Sequence, residues 1–113
     1  MGMFHNNPSR THVIIREWRG RAAKSNPQGY PHHFRSKVMP ELGELPGFLG
    51  AHLCRRDLGG TIEFLVLTKW RSLEAISAFA GDDVGQAIVE PEGVAALVDF
   101  DNRVQHYETI EDI

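Results

Sequence analysis

Through Thr61–Trp70, TIEFLVLTKW, apolar positions fall on both sides of an alternating pattern. Ile62, Phe64, Val66, Thr68 and Trp70 share one face, and Thr61, Glu63, Leu65, Leu67 and Lys69 share the other. The β-branched and aromatic content predicts a strand. Apolar centres on both faces predict cover on both sides, since a strand with one wet face alternates apolar and polar residues. The period then changes. Leu73, Ile76 and Phe79/Ala80 recur at helical spacing, Ser72 stands at the N-cap, and Glu74 falls in the first turn, where a carboxylate suits the helix dipole.

The same reading extends along the chain. THVIIREW, residues 11–18, predicts a first strand with His12, Ile14, Arg16 and Trp18 on one face. Gly20 to Gly29 reads as a flexible connection. Tyr30, Phe34, Val38 and Leu42 recur every four residues and predict a helix from Pro31 to about Leu45. Pro40 is expected to kink or end it near Met39. Phe48 to Arg56 reads as a second strand, joined to Thr61 by a Gly59-Gly60 hairpin turn. Asp82-Asp83 reads as a helix start before a short helix over Val84–Val89. Pro91 to about Leu97 is expected to be a connection, and Val98–Thr109 a last strand. The order βαββαβ predicts an α+β, ferredoxin-like fold: a four-stranded antiparallel sheet with its helices on one face. Leu65 and Leu67 would lie on the uncovered face, so a homodimer pairing sheet to sheet is expected.

Length and charge narrow the function. At 113 residues, residues 11–109 make a single domain, with a flexible N-terminal arm over 1–10 and a tail over 110–113. A net charge of −3 gives no case for nucleic acid or an anionic membrane. No apolar run approaches the ~20 residues of a spanning helix. The first residues show no secretory signal, and a single cysteine fits a cytoplasmic location. Cys54 itself reads as a small buried hydrophobe.

PGFLGAHLCRRDLGGTIEFLVLTKWRSLEAISAFAGDD resembles the antibiotic biosynthesis monooxygenase-like domain of the dimeric α+β barrel superfamily. The resemblance rests on Pro46-Gly47-Phe48 entering a strand, the hairpin, and Trp70 followed by Arg71-Ser72-x-Glu74-Ala75, then Phe79 and Asp82/Asp83. It implies a cofactor-independent monooxygenase acting on a small aromatic or polyketide-like substrate in a cleft between sheet and helices. The alternative is a non-catalytic or regulatory protein that binds a small hydrophobic ligand in the same cleft. Trp70 matches the Trp that quinone-forming members keep at the end of the third strand; their other polar positions fall on Val66, Ile76 and, near the end, Glu90. In haem-degrading members the iron-ligand position corresponds to Val89, and the first strand here has no matching Asn. Haem degradation is therefore not expected, and neither a cofactor nor a metal site is implied.

Candidate residues follow. Trp70 reads as a core aromatic that would line any cleft beneath the helices. Val66, Trp18, Tyr30 and Phe34 would complete the binding wall. Arg16 would pair with a carboxylate or bind a substrate oxygen. His12, His52 and His106, on three strands, are the acid–base candidates, because a neutral His is the usual base near pH 7. His32 and His33, at a helix start, are expected to be exposed.

Overall fold

The computed structural model describes residues 13–113. β1 spans Ile14–Ala23, β2 Phe48–Asp57, β3 Thr61–Trp70, β4 Asp99–Phe100 and β5 Gln105–Glu108. The sheet order is β2-β3-β1-β4, with β5 also on β1, and every pairing is antiparallel. Helix α1 runs through three consecutive segments, Gly29–His33, Phe34–Val38 and Met39–Gly43. α2 is Leu73–Ala80 and α3 is Pro91–Ala95. The fold is ferredoxin-like α+β, an antiparallel sheet with helices on one face.

β1 is longer than the sequence suggests. Gly20–Ala23, expected as loop, continue the strand and pair with Thr61–Phe64. Gly20 is there for packing: a Cβ would lie 2.8 Å from the Trp18 ring and 2.9 Å from Leu97. Glycine inside a strand marks such close approach. The face of Ile14, Arg16, Trp18 and Ala22 is buried against the helices, with Phe64, Val66, Thr68 and Trp70 of β3 beside it.

α1 also outlasts its expected end. Pro40 has no N–H, and its ring excludes the carbonyl four residues back. The middle segment answers this by widening to a π turn, in which the Met39 N–H reaches Phe34 O. Such widened turns absorb local misfits and recur at functional sites. Pro31 falls among the first four helical residues, whose N–H groups have no helical partner in any case. In α2, Ser72 caps as expected, its hydroxyl accepting from the Ala75 N–H at 3.1 Å.

The C-terminal third departs most. Val84–Val89 is not helical. Asp83 accepts from the Gly85 N–H and from both Arg103 amino groups, so its carboxylate fixes a turn and no helix start. The following segment runs alongside 102–104, with Ala87 N–H on Asn102 O and Val104 N–H on Gly85 O. That insertion splits the expected last strand into β4 and β5. The expected connection from Pro91 contains α3. Among the described residues no helix is long and apolar enough to cross a membrane.

The opposite face of the sheet is mixed. Leu65 and Leu67 are half-buried, and Glu63 is buried among arginines. Cys54 is exposed there, contrary to its expected burial, because among the described residues no layer covers that face.

Candidate functional site

Between the sheet and α1 lies a cavity of about 110 Å³, partly open to solvent. The sheet provides its floor with Arg16, Trp18, Val66 and Thr68. α1 provides a wall with Tyr30, His33, Val38, Glu41 and Leu42, while Phe79 and the stretch Ile88–Glu90 complete the rim.

Arg16 is 5% exposed. Its side chain donates to Val84 O at 2.6 Å and Gln86 O at 2.7 Å, and to His106 Nε2 at 3.1 Å. Its guanidinium carbon sits 5.6 Å from the centre of the Phe79 ring. These partners are all uncharged. Among the described residues no carboxylate lies within ion-pair reach of Arg16, and residues 1–12 contain no Asp or Glu. Burial alone lowers its pKa to about 10. It still carries its positive charge at neutral pH, facing the cavity.

This contact also fixes His106. A guanidinium only donates, so Nε2 is the accepting nitrogen and the proton of the neutral ring is on Nδ1. Burial first, then the charge of Arg16, lower the His106 pKa and favour that neutral state. His106 therefore holds Arg16 from behind and is not among the residues lining the cavity.

A second polar group stands on the helix wall. The buried His33 Nε2 lies 3.6 Å from Glu90 Oε1, and that oxygen is buried with no hydrogen-bond partner among the described residues. Burial raises the Glu90 pKa, the charge of the neighbouring Glu41 and a carboxyl–carboxyl hydrogen bond with it raise it further, and Lys37 and then His33 oppose the shift. Gly93 of α3 packs against the His33 ring, where a Cβ would lie 3.3 Å away. Burial and then Glu90 also raise the Tyr30 pKa, keeping the phenol neutral.

The expected site residues divide accordingly. Arg16, Trp18, Tyr30 and Val66 line the cavity together. Phe34 is buried beside it, its ring centre 6.3 Å from that of Tyr30. Trp70 is fully buried but outside the lining, contrary to expectation. Its indole N–H donates to Thr68 Oγ1 at 2.8 Å, and its ring stacks on Phe79 at 5.7 Å. It supports two lining residues from behind. His52 is exposed on the outer sheet face, so His52 and His106 do not converge. His12 lies outside the described residues. His33, expected to be exposed, is buried; Glu41 and Glu90 were not anticipated. His33 and Glu41 could have been found by widening the four-residue stripe of α1 to its three-residue neighbours, Tyr30–His33 and Val38–Glu41.

The family model for antibiotic biosynthesis monooxygenase matches residues 11–91. The chain belongs to the antibiotic biosynthesis monooxygenase family. No curated protein sequence matches it. Among solved structures, a Bacillus cereus protein named for this monooxygenase family aligns with TM-score 0.63 and 15% identity, covering 90% of this chain and 97% of that one. A monooxygenase of Streptomyces coelicolor, in complex with nanaomycin D, aligns with TM-score 0.56 and 17% identity over 96% of this chain and 93% of its own. A haem-degrading protein of Mycobacterium tuberculosis, heme free, aligns with TM-score 0.55 and 23% identity over 90% and 97%. At these identities the likeness is one of fold. Haem does not fit the family member described here. Val89, which the sequence resemblance sets at the iron-ligand position, presents an apolar side chain to a cavity of about 110 Å³. Pockets for drug-sized ligands, which are smaller than a tetrapyrrole, hold about 300–1,000 Å³.

Proposed function

We propose that this protein binds a small aromatic or polyketide-like compound in the cavity and acts on it as a cofactor-independent monooxygenase. The observation that carries this reading is Arg16, a buried cation on the cavity floor whose described partners are all neutral. A buried charge without a counter-charge is costly. An anionic oxygen of a ligand would supply that counter-charge. A phenolate or enolate is such a ligand, and it is also electron-rich enough to react with oxygen. At about 110 Å³ the cavity is smaller than the ~150 Å³ apolar cavity that holds benzene, but it is partly open to solvent, so a single ring can enter with part of it at the mouth.

For a simple phenol the reaction is phenol plus O₂ giving quinone plus water. The hydroxyl loses its proton, and the ring carbon of the anion forms a C–O bond with oxygen. The resulting peroxide takes up that proton. Loss of the proton on that carbon then breaks the O–O bond, forms the second carbonyl and releases hydroxide, which leaves as water. The protein contributes orientation, desolvation and the positive charge of Arg16. We further propose that the protein is a homodimer joined through its outer sheet face, where Leu65 and Leu67 are half-buried.

The test is oxygen consumption with single-ring phenols and cyclic enols. Saturable uptake that Arg16→Gln reduces at least tenfold supports the reading. Saturable binding with no oxygen uptake favours the alternative, a non-catalytic small-ligand-binding protein, for which the apolar Val66, Ile88 and Val89 in the lining speak. No binding overturns both.

A further inference from the structure

Of the acid–base groups anticipated from the sequence, the two that are described, His52 and His106, do not serve the cavity. His52 is on the wrong face of the sheet, and the lone pair of His106 Nε2 is occupied by Arg16. The cavity nonetheless has an acceptor without a donor, Glu90 Oε1, buried and unpartnered among the described residues. Buried acceptors are hydrogen-bonded in native proteins with few exceptions, so each exception calls for a missing donor. Glu90 lines the cavity on the rim, while Arg16 lies on the sheet floor. We infer that Glu90 is the proton acceptor for the bound substrate, and that the substrate is a vinylogous acid: a hydroxyl facing Glu90, joined through one conjugated ring to an oxygen facing Arg16. This inference rests on the cavity reading given above.

The chemistry follows from the two ends. The hydroxyl proton passes to the Glu90 carboxylate. The negative charge left on the substrate moves through the ring to the oxygen beside Arg16. No proton enters or leaves the site, and its net charge is unchanged. Three of the five guanidinium N–H groups have acceptors among the described residues. Around Glu90 stand Tyr30, His33, Lys37 and Glu41 from α1, with Glu92 beside it bound to Lys37 at 3.2 Å. Glu41 strengthens Glu90 as a base by its charge, which opposes the ionised form, and by a hydrogen bond that favours the protonated one. His33, 3.6 Å away, acts as a positioning residue.

4-Nitrophenol is a one-ring vinylogous acid whose anion is coloured, so it serves as the probe. Calorimetric titration in two buffers of different ionisation enthalpy counts the protons released on binding, and absorbance counts the anion formed. Below the pKa of the phenol, the wild-type protein is expected to bind it as the anion with almost no proton release. Glu90→Gln is expected to release about one proton more for each anion formed. Glu41→Gln, which keeps Glu90, is expected to shift the pH at which proton retention begins downward. Equal proton counts for wild type and Glu90→Gln, with anion bound by both, would overturn Glu90 as acceptor and leave the cavity reading standing. Absence of saturable binding to the wild-type protein would overturn the cavity reading and this inference together.

Discussion

Two buried ions lie on opposite faces of one sheet. Glu63 is 7% exposed on the outer face, and Arg16 is 5% exposed on the inner one. Glu63 is met by Arg56 at 2.8 Å, Arg21 at 3.4 Å and Arg19 at 3.8 Å. Arg21 is held in turn by Asp99 and Asp101, and Arg19 by Glu17. This branched chain of charges alternates in sign from Glu17 through Glu63 to Asp99 and Asp101. Arg16 has carbonyls, an imidazole and an aromatic face. The difference separates structure from function. A buried ion that is neutralised by its neighbours holds elements together, whereas one left with its charge has an affinity to spend on a ligand.

Breaking the outer face should give the largest effect. Leu67 is half-buried between Glu17 of β1 and His52 of β2. In the proposed dimer, Leu67→Asp would place a carboxylate in a sheet-to-sheet interface, at a cost of several kcal/mol. Sedimentation should report monomer or aggregate. An unchanged dimer would mean that the interface lies elsewhere.

Removing the neutralised ion comes next. Glu63→Ala leaves three arginines facing each other, and about 3 kcal/mol of stability should go with it, the low end for breaking a buried pair because the arginines retain access to water. Ligand binding per folded molecule should not change. Denaturant unfolding and 4-nitrophenol binding on one sample test both halves of that statement.

The inner face separates packing from chemistry at a finer scale. Trp70→Phe loses the bond to Thr68 and some bulk, for a destabilisation of ~1–3 kcal/mol. Because Trp70 supports the cavity from behind, turnover per folded molecule should be retained. Arg16→Gln should show the reverse. The lost charged hydrogen bonds and the relieved burial of a cation oppose each other, so stability should move by no more than about 1–2 kcal/mol. Affinity for the phenolate should fall at least tenfold.

How much of this was legible in the chain depended on whether a residue's role was local. β2, β3, their hairpin and the Ser72 cap follow from alternation, glycine and a capping hydroxyl, and all stand where the pattern puts them. Gly20 misled because its reason is distant: it admits the Trp18 ring and Leu97. Pro40 misled because the helix widened before it instead of ending. Asp83 misled because its partner, Arg103, is 20 residues away. The site divides in the same way. Arg16, Trp18, Tyr30 and Val66 share faces that periodicity identifies. Glu90 sits in an irregular segment fixed by backbone bonds to residues 102–104 and by packing against α1, and no period reaches it.

The smallest expected effect concerns Glu90, and its sign is what matters. Burial, then Glu41, raise its pKa in the folded protein above the ordinary carboxylate value. Between those two values the folded state holds more protons than the unfolded one. Stability therefore falls as pH rises through that window, and the penalty is fully present above it. This is opposite to a carboxylate held in a salt bridge, which gains stability as pH rises. Glu90→Gln removes the ionisation. The variant should come closest to the wild type below the ordinary carboxylate range, where position 90 is uncharged in both, and melt at a higher temperature at pH 7. In the same neutral samples it should have lost proton retention on binding 4-nitrophenol. A residue that only packs would lose stability on substitution and leave proton release unchanged. A melting temperature at pH 7 at or below that of the wild type would show that the carboxylate is compensated in the fold, as Glu63 is, and that it belongs with the outer face in the comparison.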